Sequence, residues 1–244
     1  MSQSLKKGID TLFFLASRKS AGVTEVAEAL NVNKSTAFRI LSTFLQADMV
    51  EQNKDTQKYK LGPAILRLSR QYYKNFGIIE AAGPVMERLA AEIRESVHLC
   101  VLANNSAVII EQVLSDSRIV VRAKVGSREP LHSSSVGKCL LAFAANEVQK
   151  NMLDALDFEV FTEHTIRDRD RLLAEIEKIR TAGFALDNRE VSPNIICVAV
   201  PIRDEMGLCT YSLGTSGTAE RMTEEKINKI VPLLKKAARR IEAR

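Results

Sequence analysis

Between Thr24 and Ala47 two short helical periodicities are separated by only three residues, Asn31-Val32-Asn33. Val26, Ala27 and Leu30 form the apolar face of the first. Ala37, Ile40, Leu41, Phe44 and Leu45 form that of the second, at the i, i+3, i+4, i+7, i+8 spacing of one helix face. Two short helices joined by a turn of about three residues are the frame of a helix-turn-helix. An upstream stripe, Leu5, Ile9, Leu12, Phe13 and Ala16, supplies further apolar cover. Thr24 reads as the N-cap of the first short helix. The second presents Lys34, Ser35, Thr36 and Arg39 at or near its N-terminal end. That is the arrangement of a helix-turn-helix, whose second helix brings its first residues to base edges in the major groove. Arginine can pair with guanine N7 and O6, while lysine, serine and threonine serve bases or phosphates. Downstream, Met49–Gln52 and Lys58–Leu61 read as strands around the polar turn 53–57, a wing that places Lys54 and Lys58 for phosphate. Thr24, Lys34, Ser35, Thr36, Arg39, Lys54 and Lys58 are the candidate DNA contacts. The alternative is a small helical domain with a solvated basic face.

Charge favours the first reading. Residues 1–75 hold 12 Lys/Arg against 6 Asp/Glu, a net of +6. Residues 76–244 hold 23 against 24, a net of −1, so all of the basic excess lies in the first third. A basic head on a neutral body points to one module that meets a polyanion and a second with another task. No apolar run approaches the roughly 18 residues of a membrane span. The start, MSQSLKKGID, is charged where a signal peptide is apolar. Four scattered cysteines without a C-x-x-C fit a reducing, cytoplasmic setting.

The chain divides into a winged helix-turn-helix at 1–62, a helical linker at 63–77 and a second domain at 78–244. Pro63 suits the first turn of a helix, which Ile65, Leu66, Leu68 and Tyr72 continue. Tyr72, Tyr73 and Phe76 are large enough to pack against the same helix of a second subunit. A further helix is expected from Gly83-Pro84 to Glu95. Strands follow at 97–102, 107–113, 118–125, 184–187, 195–202 and 208–213, with helices at 133–144, 147–155, 170–181 and 223–242. Strands in a run with helices gathered elsewhere make an α+β domain around one antiparallel sheet.

Within that domain, Pro130 to Lys138 reads as a Ser-rich loop entering a helix, where exposed N–H groups make an anion site. It is not a P-loop, since His132 stands where a glycine is required and Cys139 follows Lys138. Gly214-Thr215-Ser216-Gly217-Thr218 lacks the last glycine of a nucleophile elbow. The three histidines, His98, His132 and His164, are not patterned with a nucleophile and an acid. No catalytic residue, metal or cofactor is assigned. Other readings stay open: a hydrolase using Cys197 or Ser216 with His132, zinc at His98 and Cys100 with His132 or Cys197, or a basic adaptor that binds a protein. The plainer role for His98 and Cys100, on one face of a strand, is in the core.

Taken in order, the motifs resemble the IclR-type family of bacterial transcriptional regulators over nearly the whole chain. Ser35-Thr36-Ala37-Phe38-Arg39 lies in a stretch that is similar to the family's recognition helix, and Tyr59-Lys60-Leu61-Gly62 to the end of its wing. Pro130-Leu131-His132 through Gly137-Lys138, then Gly183 to Asp187, Cys197 to Pro201, Asp204 and Ser216-Gly217 fit its C-terminal blocks. The resemblance implies a winged helix-turn-helix followed by a GAF-like effector domain. It implies a homodimer or homotetramer that binds double-stranded operator DNA and responds to a small organic acid. Carried onto this chain, it places a carboxylate on the amides of Ser135 and Val136. Asp187, Cys197, Gly214 and Ser216 line the rest, with Val121 and Leu131 as apolar wall. Where the family often has serine, Gly214 has no hydroxyl, which implies a lost polar contact or a larger ligand.

Overall fold

In the computed structural model the three N-terminal apolar stripes meet. Leu15, Val26, Ala27, Ala37 and Leu41 are buried together with Val50 and Tyr59 of the wing. The structure describes residues 2–75, 77–103, 105–203 and 207–242, without the side chains of 72–75. The packing expected of Tyr72, Tyr73 and Phe76, and the position of Asp204, lie outside the described residues. The chain forms two compact units, Met1–Phe76 and Gly77–Arg244.

The first unit runs α1 (Gln3–Ala16), α2 (Val23–Ala29), α3 (Lys34–Gln46), β1 (Val50–Gln52), β2 (Tyr59–Leu61) and α4 (Ala64–Asn75). The α2–α3 turn closes on Asn31, which takes φ 49°, a left-handed conformation that asparagine tolerates better than most residues. Strands β1 and β2 pair antiparallel from Val50↔Leu61 to Gln52↔Tyr59. Ala21 exchanges two backbone hydrogen bonds of 2.8 Å with Tyr59, which ties the loop before α2 to the wing. That tie shifts the start of α2. The helix begins at Val23 with Gly22 as its N-cap residue, and the Glu25 carboxylate accepts from Gly22 N–H at 2.8 Å. Thr24 is therefore an exposed first-turn residue and not the cap expected from the sequence.

The second unit runs α5 (Gly77–Ile93), β3 (Ser96–Ala103), β4 (Ser106–Val113), β5 (Arg128–Glu129), α6 (Ser135–Phe143), α7 (Asn146–Asp154), α8 (Arg169–Ala182), β6 (Ala185–Asn188), β7 (Ile195–Arg203), β8 (Cys209–Thr218) and α9 (Glu224–Glu242). Six strands form one antiparallel sheet in the order β5-β4-β3-β8-β7-β6. Helices α6 and α8 pack together over the sheet, and α5 and α9 pair and pack against it as well. Alternation along each strand sorts side chains between the two faces. Cys100, Ala185 and Ala199 join α6 and α8 in one core with Leu140, Leu172 and Ile176.

Two expectations need correction. Helix α5 starts at Gly77, earlier than the Gly83-Pro84 step, and carries Pro84 in its interior, where only one helix hydrogen bond is lost. The strand expected at 118–125 does not form. Ile109 instead bonds Ser127 and Gly126 through its N–H and C=O, at 3.0 and 2.7 Å, so the β4 edge is taken by the turn before β5. The displaced segment covers the site described next.

Candidate functional site

On the first unit, Asn33 Oδ1 caps α3, accepting from Thr36 N–H at 2.8 Å and from Ser35 Oγ at 2.9 Å. The cap holds Lys34 and Ser35 at the open end of the helix. Both are exposed, as are Arg39 on α3 and Thr24 on α2, while Thr36 is half-buried. Arg39 borders a groove between α1 and α3 with Leu5, Lys7 and Thr43. At the wing tip, Asn53 Oδ1 accepts from the N–H groups of Asp55 and Thr56 at 3.0 and 2.8 Å, leaving Lys54 exposed. Lys58 reaches Glu25 of α2 at 3.3 Å. The Gly22 amide and then Lys58 hold the Glu25 carboxyl below its usual range. Such a surface pair is weak, so Lys58 can exchange Glu25 for a phosphate at small cost.

The second unit holds a cavity of about 160 Å³ between the α6 face of the sheet and the 121–123 segment. Register builds its floor. Asp187 pairs with Cys197, and Cys197 with Ser216, so three side chains from β6, β7 and β8 form one row. The next row reads Ala185, Ala199, Gly214 and His98. Small residues in that row let α6 approach.

Helix α6 opens onto this cavity. Ser134 caps it, donating to Pro130 C=O at 2.7 Å and accepting from Gly137 N–H at 3.0 Å. The helical ladder begins with Lys138 N–H on Ser134 C=O at 2.9 Å. First-turn amides have no intrahelical acceptor, so those of Ser135 and Val136 can serve an anion with the helix dipole behind them. Gly137 is required here because a Cβ would run into the Pro130 carbonyl and stand 2.7 Å from Leu131 Cα.

Acids hold the other side. Asp187 Oδ1 accepts from Glu190 N–H at 2.7 Å, yet burial still raises its carboxyl above the usual range. Burial and Asp187 likewise raise Glu129. Behind them, Lys138 and Glu190 form a buried ion pair. Burial outweighs the lysine and pushes Glu190 up to about 7.

Of the effector residues expected from the sequence, Val121, Ser135, Val136, Asp187, Cys197 and Ser216 line the cavity. Leu131 does not. It is buried in the core beneath α6 and supports the wall without forming it. Gly214 contributes backbone under the His98 ring. His98, Glu129 and Arg122 also line the cavity and were not singled out for it. His132 turns elsewhere, its Nε2 on the Glu159 carbonyl at 2.9 Å and its ring stacked on Phe161. Burial pushes the Cys197 thiol well up, which keeps it protonated. The hydrolase reading therefore has neither its base in place nor an activated thiol.

The model of the bacterial transcriptional regulator IclR C-terminal domain matches residues 70–243, and that of the IclR helix-turn-helix domain matches 4–54. The HTH-type transcriptional regulator KdgR of Dickeya chrysanthemi is 32% identical over 98% of this chain and 78% of its own length. The crystal structure of the Thermotoga maritima IclR superposes with a TM-score of 0.82 at 30% identity, covering 98% of this chain and 97% of that one. An IclR homologue from Microbacterium hydrocarbonoxydans, crystallised with 4-hydroxybenzoate, gives 0.85 at 25% identity over 99% and 98%.

Proposed function

The chain belongs to the IclR family of bacterial transcriptional regulators, with a helix-turn-helix DNA-binding domain and a C-terminal effector domain, and from that premise we propose that a small organic acid controls its hold on operator DNA. The observation that carries the ligand class is the cavity into which the Ser135 and Val136 amides open. A cavity of about 150 Å³ takes a molecule the size of benzene, so the acid has on the order of six non-hydrogen atoms. Its carboxylate would lie on the α6 amides, with Asp187, Cys197 and Ser216 along its flank and Val121 over it. The relative crystallised with 4-hydroxybenzoate supports an acid as the class.

Lys34, Ser35, Thr36 and Arg39 would read bases and phosphates, with Lys54 and Lys58 of the wing and Thr24 on the backbone. In a homodimer or homotetramer, paired heads would meet half-sites one or more helical turns apart. Effector-dependent repacking of the C-terminal domains would pass through the 63–77 connector and change the spacing of the heads. The test is a thermal-shift panel of small carboxylates on the full chain, followed by anisotropy on DNA selected from a random pool. An acid that raises Tm and changes affinity for the selected DNA supports the reading. No stabilising acid, with DNA binding indifferent to sequence, overturns it.

A further inference from the structure

We infer that His98 sets the specificity of the effector cavity, its ring filling the room left by Gly214 and its Nε2 meeting an uncharged oxygen of the bound acid. This rests on the acid-binding reading above. His98 and Gly214 are direct cross-strand neighbours on β3 and β8. A Cβ at position 214 would run into His98 Nε2, stand 3.0 Å from its Cδ2 and lie 2.8 Å from Val136 Cγ1. The missing hydroxyl at 214 is thus not an unfilled gap. An imidazole occupies the place and brings its own polar atoms to the cavity wall.

Neither ring nitrogen has a partner. His98 is 4% exposed and lines the cavity; its Nδ1 is closed off by burial, which leaves Nε2, the atom against Gly214, as the unpaired nitrogen on the cavity side. Buried polar nitrogens are nearly always paired, so an unpaired one on a cavity wall marks a place for a ligand atom. Burial holds the imidazole neutral, with its pKa pushed down to about 4. It therefore offers one donor and one acceptor and no charge at neutral pH.

The surroundings choose the partner. Among the described residues the single cation lining the cavity is Arg122, which is exposed, whereas Glu129 and Asp187 share the walls. A second anionic group on the ligand would face those acids without a buried counter-charge. A hydroxyl or carbonyl would not. Because the His98 ring stands beside Val136, this oxygen belongs within a bond or two of the carboxylate. The effector is then a monocarboxylate with one nearby uncharged oxygen.

Matched pairs test this on the full chain by calorimetry: propionate with lactate, and butyrate with 3-hydroxybutyrate. At least one hydroxy acid should bind about 2- to 13-fold tighter than its parent. His98→Phe should erase that preference while the parent acid still binds. His98→Gln, which keeps a polar amide near the Nε2 position, should retain part of it. Gly214→Ala, which displaces the ring, should act like His98→Phe. Unfolding midpoints for all three variants identify any that fail to fold, and the remaining variants decide. Parent and hydroxy acids binding the wild-type chain equally would overturn the role of His98 and leave the α6 site standing. No binding by any of the four acids would overturn both.

Discussion

Replacing Ser135 by proline takes one N–H group out of the cavity and leaves the helix that carries it. Ser135 is the first residue of α6, where the fixed φ of proline is already helical and the lost N–H has no intrahelical acceptor. Ser134 before it is extended, with φ −76° and ψ 148°, as a following proline requires. The stability change should stay within about 1 kcal/mol, and the stiffer unfolded chain pushes it toward stabilisation. Ligand binding loses a hydrogen bond to a charged group, about 1.5–3 kcal/mol, or roughly 10- to 150-fold in Kd. The Val136 amide remains, so affinity falls without vanishing. Ser135→Ala keeps the N–H and should stay within about 3-fold of wild type, a few tenths of a kcal/mol. Calorimetry with the best acid from the panel, beside a urea midpoint for each variant, measures both quantities. Wild-type affinity in Ser135→Pro would refute the amide assignment. Equal losses in the proline and alanine variants would move the contact from the amide to the hydroxyl.

Three other outcomes follow from the same structure. Arg39→Ala should cost about 1–3 kcal/mol on selected operator DNA and little on random DNA, whereas Lys54→Ala should weaken both alike and reduce the salt slope by about 1; anisotropy titrations at several salt concentrations separate the two. Gly137→Ala sets a Cβ 2.7 Å from Leu131 Cα and Ser134 Oγ, and should destabilise by about 1–3 kcal/mol in urea denaturation. His98 binds protons more weakly folded, at about 4, than unfolded, at 6.5. Its contribution is therefore present above pH 6.5 and lost as pH falls toward 4, up to about 3 kcal/mol. Stability measured across that range should fall less in His98→Asn than in wild type.

Much of the architecture was legible because it rests on local patterns. The stripe Ala37, Ile40, Leu41, Phe44 gives α3 from side chains on one helix, and only Ala37 and Leu41 of these need be fully buried to fix it. Ser134 three residues before Gly137 marks the start of α6 in the same local way. The misreadings come where tertiary bonding overrides local preference. Thr24 is the better capping residue in isolation, but the Ala21–Tyr59 bridge sets the chain so that Gly22 takes the cap position. Residues 118–125 have apolar and charged side chains suited to a strand, but the edge they would join is bonded to 126–127.

The cavity was legible only in part for a related reason. Asp187, Cys197 and Ser216 are far apart in sequence and become a row through the register of three strands. No spacing rule announces that Gly214 makes room for His98, because the two are joined only by the pairing of β3 with β8. The buried Lys138–Glu190 pair adds a mechanical consequence. It ties the second turn of α6 to the turn after Asp187, while Thr165 Oγ holds the Glu190 carbonyl at 2.6 Å. Separating a buried pair leaves an uncompensated charge, at about 3–5 kcal/mol. An acid bound on the α6 amides would therefore not slide that helix away from Asp187 and its turn. It would move α6 and the 187–190 segment as one body, and any rearrangement would fall to the segments around them, among which 121–123 lines the cavity.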